Sequence, residues 1–124
     1  MVYLDTHIVV WLFAGLVEKF TPNARELINT QDILVSPIVR LELQYLHEIQ
    51  RVAEAADGII TDLAGRIGLK VCNRAFDAVV VQALALDWTR DPFDRLIVAH
   101  ASLGNNVLIS KDEQILEHYA HARW

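Results

Sequence analysis

The chain begins with MVYLDTHIVVWLF, residues 1–13, in which three apolar residues precede an ionisable Asp5. Val2 to Leu4 have the composition of a buried β-strand, and Asp5 stands where that strand is predicted to end. In open parallel sheets, ligands bind beyond the carboxyl ends of the strands. Asp5 is therefore interpreted in one of two ways. It is either a side chain that ligates a metal ion at that edge, with the hydroxyl of Thr6 beside it, or the cap of a helix from about His7 to Phe13.

The composition is that of one compact domain. The chain has 124 residues, of which 53% are hydrophobic and 22% are charged, so we expect a single domain over residues 1–124. Its one cysteine, Cys72, has no partner for an internal disulfide, which favours a reducing cytoplasm. The first residues lack a basic leader, and the apolar run from Ile8 to Val17 is too short to span a bilayer, so we expect no membrane association.

The formal net charge of −5 argues against nucleic-acid binding through overall electrostatics, because phosphates are normally bound by a basic face. This objection weakens if several of the 16 acidic residues hold a divalent cation at one place. Such a site presents positive charge to a phosphate even on an acidic protein.

Short β-rich runs alternate with amphipathic stretches. The predicted strands are VYL at 2–4, ILV at 33–35, LKVC at 69–72, VLIS at 107–110 and HARW at 121–124. Three helices are predicted to start at a capping residue followed by proline, at Thr21-Pro22, Ser36-Pro37 and Asp91-Pro92. Residues 51–67 are predicted to form a helix or a helical hairpin. This alternation predicts a three-layer α/β/α sandwich with a central, mainly parallel sheet of four or five strands.

Glu42 lies in the predicted helix SPIVRLELQYLHEI, residues 36–49. We expect it to fall within the inward-facing apolar stripe of that helix, formed by Ile38, Leu41, Tyr45, Leu46 and Ile49. A buried carboxylate needs a cation or another partner, because its desolvation otherwise costs several kcal/mol or raises its pKa. The partner is either a metal ion or a neighbouring arginine.

Asp91 and Asp94 occur in TRDPFDRLIVAHA, residues 89–101. Asp91 is interpreted mainly as the N-cap of a helix whose first position is Pro92. Asp94 is followed at helical spacing by Ile97, Val98 and Ala101, which predicts that it lies at the buried rim of that helix.

Asp112 occurs in LISKDEQIL, residues 108–116. Ser110 and Glu113 fit a capping box at the start of a last short helix, and this box leaves Asp112 without an assigned role. Asp112 is either an ordinary acid of a first helical turn or a member of the same site as Asp5, because both follow predicted strands.

Clustered carboxylates repel one another, by roughly 4 kcal/mol for a pair at 4 Å in a surface-like dielectric. A divalent cation removes this penalty. Oxygen ligands without thiolates or a histidine cluster suit Mg²⁺ or Mn²⁺ rather than zinc.

The segments YLDTH, VRLELQYL, DPFDRLIVAHA and LISKDEQIL together make the chain similar to a PIN domain, most closely to the small VapC-like toxins of bacterial toxin-antitoxin modules. The resemblance spans nearly the whole chain, and DPFDRLIVAHA is its most specific part. It implies that an acidic quartet binds Mg²⁺ or Mn²⁺, formed by Asp5, Glu42, Asp94 and Asp112. Thr6 and Ser110 would be supporting polar residues of the same site.

The resemblance also implies a function. Members of the family are metal-dependent endoribonucleases that usually dimerise, and an antitoxin neutralises them by filling the active-site groove. The expected partners are therefore an RNA substrate, a cognate antitoxin and a second copy of the chain. Four cations next to the site acids in sequence are candidates for RNA phosphate contacts, namely Arg40, Arg90, Arg95 and Lys111. Ion pairs with Glu42, Asp91 or Asp94 are the alternative role, and we expect it for at least two of these cations.

Other functions remain open at this point. A phosphoacceptor receiver-like domain has similar length and clustered aspartates, but it needs an acceptor Asp at the end of a central strand, and LKVC is followed by Asn73. A haloacid-dehalogenase-like hydrolase needs an acid two residues after its nucleophilic Asp, and His7 occupies that position. A PIN-like module that has lost catalysis and only binds a partner is the third alternative.

Overall fold

The computed structural model describes all residues, 1–124, and contains a five-stranded parallel sheet. The strands are β1 (Val2–Leu4), β2 (Ile33–Val35), β3 (Lys70–Val71), β4 (Val107–Ile109) and β5 (Ala122–Arg123), in the spatial order β3-β2-β1-β4-β5. All four strand pairings are parallel. The predicted α/β/α sandwich with a parallel sheet is confirmed.

Seven α-helices connect the strands. They are α1 (Thr6–Ala14), α2 (Pro22–Thr30), α3 (Pro37–Glu48), α4 (Ala56–Ile67), α5 (Phe76–Leu84), α6 (Pro92–Ser102) and α7 (Glu113–His118), with a 3₁₀ turn at Val17–Lys19. The three predicted helix starts are confirmed, since the side chains of Thr21, Ser36 and Asp91 each accept a backbone N–H of the first turn. None of the helices is long and apolar enough to cross a membrane.

The order of the strands creates a site at one edge of the sheet. The chain steps from β1 outward to β2 and β3, and then returns to β4 on the other side of β1. Since crossovers between parallel strands are right-handed as a rule, this order predicts that the helices before β3 and those after it cover opposite faces of the sheet. The point at which the strand order reverses, between β1 and β4, is where doubly wound sheets bind ligands.

The central strand is buried on both faces, which is why it is uniformly apolar. Val2, Tyr3 and Leu4 are all buried, and β1 pairs with β2 on one side and β4 on the other. Leu4 pairs with Ile109 at the end of this register. The residues that follow the two strands therefore leave the sheet side by side.

The apolar stripe predicted for α3 is wrong. Leu41, Tyr45 and Ile49 are exposed, and the buried residues of α3 are Val39 and Leu43. Apolar residues occupy most of the circumference of this helix, so their spacing alone does not determine which face packs inward. Glu42 lies beside the true buried stripe and is only half-buried.

Several element boundaries also differ from the prediction. Residues 51–55 form an irregular segment, and the helix predicted for 51–67 begins only at Ala56. It ends at Ile67, followed by the C-cap Gly68, whose φ of 73° lies in the region that favours glycine. Strands β3, β4 and β5 are shorter than their apolar runs, because neighbouring strands pair over only two or three residues.

Candidate active site

An open pocket of about 470 Å³ lies beyond the carboxyl ends of the strands. Its wall brings together the four acids that the sequence proposes as a quartet, although they are separated by up to 107 positions in the chain. The full lining is Asp5, Thr6, His7, Val10, Glu42, Leu46, Arg51, Val52, Asp91, Asp94 and Asp112.

Asp5 combines the two roles that the sequence left open. It is the N-cap of α1, and its Oδ1 accepts the backbone N–H of Thr6 at 2.8 Å. Its Oδ2 accepts a hydrogen bond from Ser110 Oγ at 2.7 Å. Asp5 is only 4% exposed, so the capping bonds hold a buried carboxylate in a fixed orientation at the pocket wall.

The predicted capping box of Ser110 and Glu113 is wrong. The N-cap of α7 is Asp112, whose Oδ1 accepts the backbone N–H of Ile115 at 3.1 Å. Ser110 is fully buried, and its hydroxyl accepts the backbone N–H of Asp112 at 3.0 Å while donating to Asp5. The Ser110 hydroxyl donates to the carboxylate of Asp5, at the end of the neighbouring strand. A charged carboxylate is a stronger hydrogen-bond acceptor than the neutral groups of a helical turn.

Glu42 enters the pocket from α3 and contacts the start of α1. Its Oε1 accepts a short hydrogen bond from the hydroxyl of Thr6. Burial raises the pKa of Glu42 above its ordinary value, and the charges of Asp5 and Asp91 raise it further, while the hydrogen bond from Thr6 acts in the opposite direction.

Asp94 has the most perturbed carboxyl group of the site. Burial raises its pKa to about 7, and the charges of Asp5, Asp91, Asp112 and Glu42 act in the same direction. Each of these four neighbours is an acid that lines the same pocket. The charged form of Asp94 is therefore disfavoured first by burial and then by repulsion from the other acids.

Asp91 contributes more than the sequence suggests. It caps α6 as expected, with Oδ1 accepting the backbone N–H groups of Phe93 and Asp94 at 2.8 and 3.2 Å. It also lines the pocket and raises the pKa of both Glu42 and Asp94. The sequence correctly indicated that Asp91 caps α6, but it did not indicate that Asp91 also lines the pocket.

The donor set can be compared with the needs of a metal ion. As the side chains stand, no three carboxylate, imidazole or thiolate groups are close enough together to ligate one ion. Sharing an ion therefore requires rotation of some of the carboxylates. The chemistry of the donors fits Mg²⁺ or Mn²⁺, because the pocket presents carboxylate and hydroxyl oxygens whose mutual repulsion a divalent cation relieves.

The cations proposed to contact RNA do not line the pocket, and none pairs with a site acid. Arg40 lies 3.4 Å from Asp57, on another part of the surface. Arg90 and Arg95 donate hydrogen bonds to backbone carbonyls instead. The expectation that at least two of the four form ion pairs with Glu42, Asp91 or Asp94 is therefore wrong.

Lys111 lies closer to the site, through His7. The backbone N–H of Lys111 donates to His7 Nε2 at 3.0 Å, which places the proton of the neutral ring on Nδ1. Nδ1 lies 3.6 Å from Asp5 Oδ2. The ammonium of Lys111 lies 5.9 Å from the ring of Trp11, so this lysine is at the rim of the site rather than inside it.

Besides Asp91 and three apolar residues, two polar residues of the pocket were not assigned to it from the sequence, His7 and Arg51. His7 adjoins Asp5 in the chain, but a histidine on a helix gives no signal of its own. Arg51 lies beyond the C-terminus of α3, in the segment between α3 and α4, and no local pattern indicates that this segment turns back to the acids.

Comparisons with known proteins agree with this architecture. The PIN domain family model matches residues 2–122. No curated protein matches the sequence significantly. Among solved structures, the chain is similar to VapBC2 from Rickettsia felis bound to a DNA fragment from its promoter, with a TM-score of 0.69 and 20% identity over 99% of this chain and 98% of that one.

Two further structures show the same fold. A toxin-antitoxin complex from Klebsiella pneumoniae aligns with a TM-score of 0.67 and 16% identity over 100% of this chain and 97% of that one. DNA-bound VapBC from Salmonella typhimurium aligns with a TM-score of 0.64 and 21% identity over 98% of this chain and 94% of that one. Because the family model covers almost every residue, this chain belongs to the PIN domain family.

Proposed function

We propose that the protein is a Mg²⁺- or Mn²⁺-dependent endoribonuclease of the VapC type, which acts in the cytoplasm as the toxin of a toxin-antitoxin pair. The observation that carries the proposal is the convergence of Asp5, Glu42, Asp94 and Asp112 on one pocket of a PIN domain. Family membership favours this function over the receiver-like and dehalogenase-like alternatives.

The residues of the pocket have distinct roles in the proposed reaction. Asp5, held by Ser110 and Thr6, provides a preoriented carboxylate. Glu42, Asp94 and Asp112 complete the set of ligands, with Thr6 supporting Glu42. When bound, the metal supplies Lewis-acid stabilisation of the charge that develops on the scissile phosphate and acidifies the attacking water. Without metal the pKa of Asp94 is about 7, so binding of a divalent cation would displace the proton that Asp94 holds below that pH.

The proposed antitoxin would bind in a groove beside the acids. A second open groove of about 470 Å³ adjoins the pocket, and five of its seven lining residues are apolar. Val10, Arg51 and Val52 line both the groove and the acidic pocket. An amphipathic segment of a partner that covers the groove would therefore also close the entrance to the acids.

A homodimer is the third part of the proposal. Exposed apolar residues lie on α3, at its C-terminal cap and on α5, and both helices pack against α6. They are Leu41, Tyr45, Ile49, Phe76, Val81 and Leu84, of which Tyr45 also stacks on Phe93 of α6. We propose that this surface contributes to self-association.

The decisive experiment is incubation of the purified protein with total cellular RNA in Mg²⁺, in Mn²⁺ and in excess chelator, with mapping of the cut ends. We expect discrete cuts only with metal, and none with Asp94→Asn. Asp57→Asn is the matched control, because Asp57 is an exposed acid outside the pocket. Equal cleavage in chelator would overturn the mechanism, and metal binding without any cleavage would favour an inactive PIN-like binding module.

A further inference from the structure

Arg51 is the only lysine or arginine that lines the acidic pocket. Its side chain is exposed, makes no ion pair within 4.0 Å and donates no side-chain hydrogen bond. The other arginines near the site are occupied by Asp57 or by backbone carbonyls. Arg51 is therefore a cation at the site whose hydrogen-bonding capacity is free.

The backbone that carries Arg51 is firmly held. Gln50 has φ 64°, a left-handed conformation that costs free energy in a residue other than glycine. This conformation ends α3 with two reverse hydrogen bonds, from Gln50 N–H to His47 O at 3.0 Å and from Arg51 N–H to Leu46 O at 2.8 Å. His47 Nδ1 also bonds the carbonyl of Val52 at 3.1 Å. The position of Arg51 is thus tied to the helix that carries Glu42.

The location of Arg51 suggests what its guanidinium binds. The residue lies where the acidic pocket meets the apolar groove, so a chain that passes through the pocket in that direction must pass Arg51. Five carboxylates line the pocket, and they repel the phosphates that flank the bond to be cut. A planar guanidinium with free donors is suited to bind one such phosphate with two hydrogen bonds.

We propose that Arg51 is a substrate-binding residue that holds an RNA phosphate next to the scissile one, at the end of the pocket facing the apolar groove. This inference rests on the proposed ribonuclease function, and it assigns to Arg51 a phosphate contact of the kind that the sequence suggested for Arg40, Arg90, Arg95 and Lys111. The competing explanation is that Arg51 only offsets the charge of the acids. In that case its loss would change metal binding and stability, but not the affinity for RNA.

The test compares Arg51→Gln with Lys70→Gln, which removes the same charge from an exposed residue at the start of β3, at the opposite edge of the sheet. The probe is a fluorescein-labelled RNA that spans a cut site mapped in total RNA. Its anisotropy is measured with Ca²⁺ at several KCl concentrations, and steady-state cleavage is measured with Mn²⁺. Thermal unfolding of each variant checks that it folds.

We expect Arg51→Gln to raise Kd and KM about tenfold with a smaller effect on kcat, and to reduce the slope of log K against log salt by about 0.7, the value for one phosphate contact on a single strand. Lys70→Gln should leave the slope and KM unchanged, and Arg51→Lys should keep the slope while restoring only part of the affinity. Equal effects of the two Gln variants, or an unchanged Kd for Arg51→Gln, would overturn the inference. If the wild-type protein makes no metal-dependent cuts, the proposed function fails and this inference fails with it.

Discussion

The hydroxyl of Ser110 donates a 2.7 Å hydrogen bond to Asp5 Oδ2 across the pairing of β4 with β1. Both residues are buried, and each directly follows its strand. The bond therefore joins the two strands between which the sheet order reverses. It also fixes the orientation of the most buried carboxylate of the site before any ligand arrives.

Ser110→Ala should destabilise the protein and weaken metal binding. The variant leaves Asp5 Oδ2 and the backbone N–H of Asp112 without their shared partner, at a cost of about 1–3 kcal/mol. Urea unfolding in chelator measures this loss. Ser102→Ala is the control, because the Ser102 hydroxyl only bonds back to Ala99 within α6 and its removal should cost less than about 0.5 kcal/mol. Equal losses in the two variants would contradict the role assigned to Ser110.

Asp5→Asn and Asp94→Asn should both reduce metal-dependent cleavage at least about 100-fold, but with opposite effects on stability. An amide at position 5 cannot accept both the Thr6 N–H and the Ser110 O–H with its two heteroatoms, so Asp5→Asn should lower the free energy of unfolding. Asp94→Asn removes a charge that burial and the neighbouring acids disfavour, so it should raise the free energy of unfolding. Urea unfolding at pH 8 in chelator measures the free energy of unfolding of both variants. A change of the same sign in Asp5→Asn and Asp94→Asn would contradict this prediction.

The stability of the metal-free protein should depend on pH through Asp94. Its pKa is about 7 in the folded protein and 3.8 ordinarily, so between these values the folded state binds more protons than the unfolded state. The stabilisation is therefore complete below pH 3.8 and is lost as pH rises through 7. Glu42, whose pKa is also raised, acts in the same direction.

The corresponding measurement is Tm at pH 5.5 and pH 8 in chelator, for the wild type and for Asp94→Asn. The wild type should lose more Tm than the variant over this interval, by roughly 4 °C, which corresponds to about 1 kcal/mol after discounting for solvent screening. Taking the difference between the two proteins cancels the contributions of other acids. Parallel pH profiles would show that Asp94 does not titrate as described.

Addition of Mn²⁺ should raise the Tm of the wild type at pH 8 and should raise it less at pH 5.5, because ligation displaces the proton that Asp94 holds at lower pH. The effect should largely disappear in Asp94→Asn. It should persist in Asp57→Asn, since Asp57 is an exposed acid outside the pocket. A Mn²⁺ shift of equal size in all three proteins would indicate binding elsewhere on the surface.

The wild type is expected to be a dimer in solution, and Leu84→Glu to be a folded monomer. Leu84 is 70% exposed on α5, so the substitution costs little within the chain but places a charge in the proposed interface. Light scattering after gel filtration gives the mass. Val17→Glu changes an apolar residue of similar exposure on the 3₁₀ turn, outside the proposed interface, and should remain dimeric. A dimeric Leu84→Glu would exclude this part of α5 from the contact.

Much of the fold was predictable because its signals are local. Apolar runs of three residues indicate β1, β2 and β4, and capping residues before proline indicate helix starts such as Ser36-Pro37. The convergence of Asp5 and Asp112 follows from the rule that parallel strands present their carboxyl ends at one edge. These inferences need no knowledge of side-chain packing.

The remaining features depend on packing between distant segments. The inward face of α3 could not be chosen from its sequence, because Leu41 and Tyr45 are as apolar as the buried Val39 and Leu43. The capping box was a sound local pattern, but a carboxylate 105 positions away was the stronger partner for Ser110. Arg51 was missed because its place at the pocket depends on how the chain turns after α3, where Gln50 adopts a conformation unusual for its residue type.

The continuity of the acidic pocket with the apolar groove has a practical consequence for inhibition. A molecule anchored by Val10 and Val52 in the groove would cover the entrance to the pocket without having to bind its five carboxylates. Its affinity would come from apolar contact and would change little with chelators or ionic strength. Binding in the groove would thus be separable from binding to the acids, and a short amphipathic peptide would cover the pocket while leaving Asp5, Glu42, Asp94 and Asp112 unaltered.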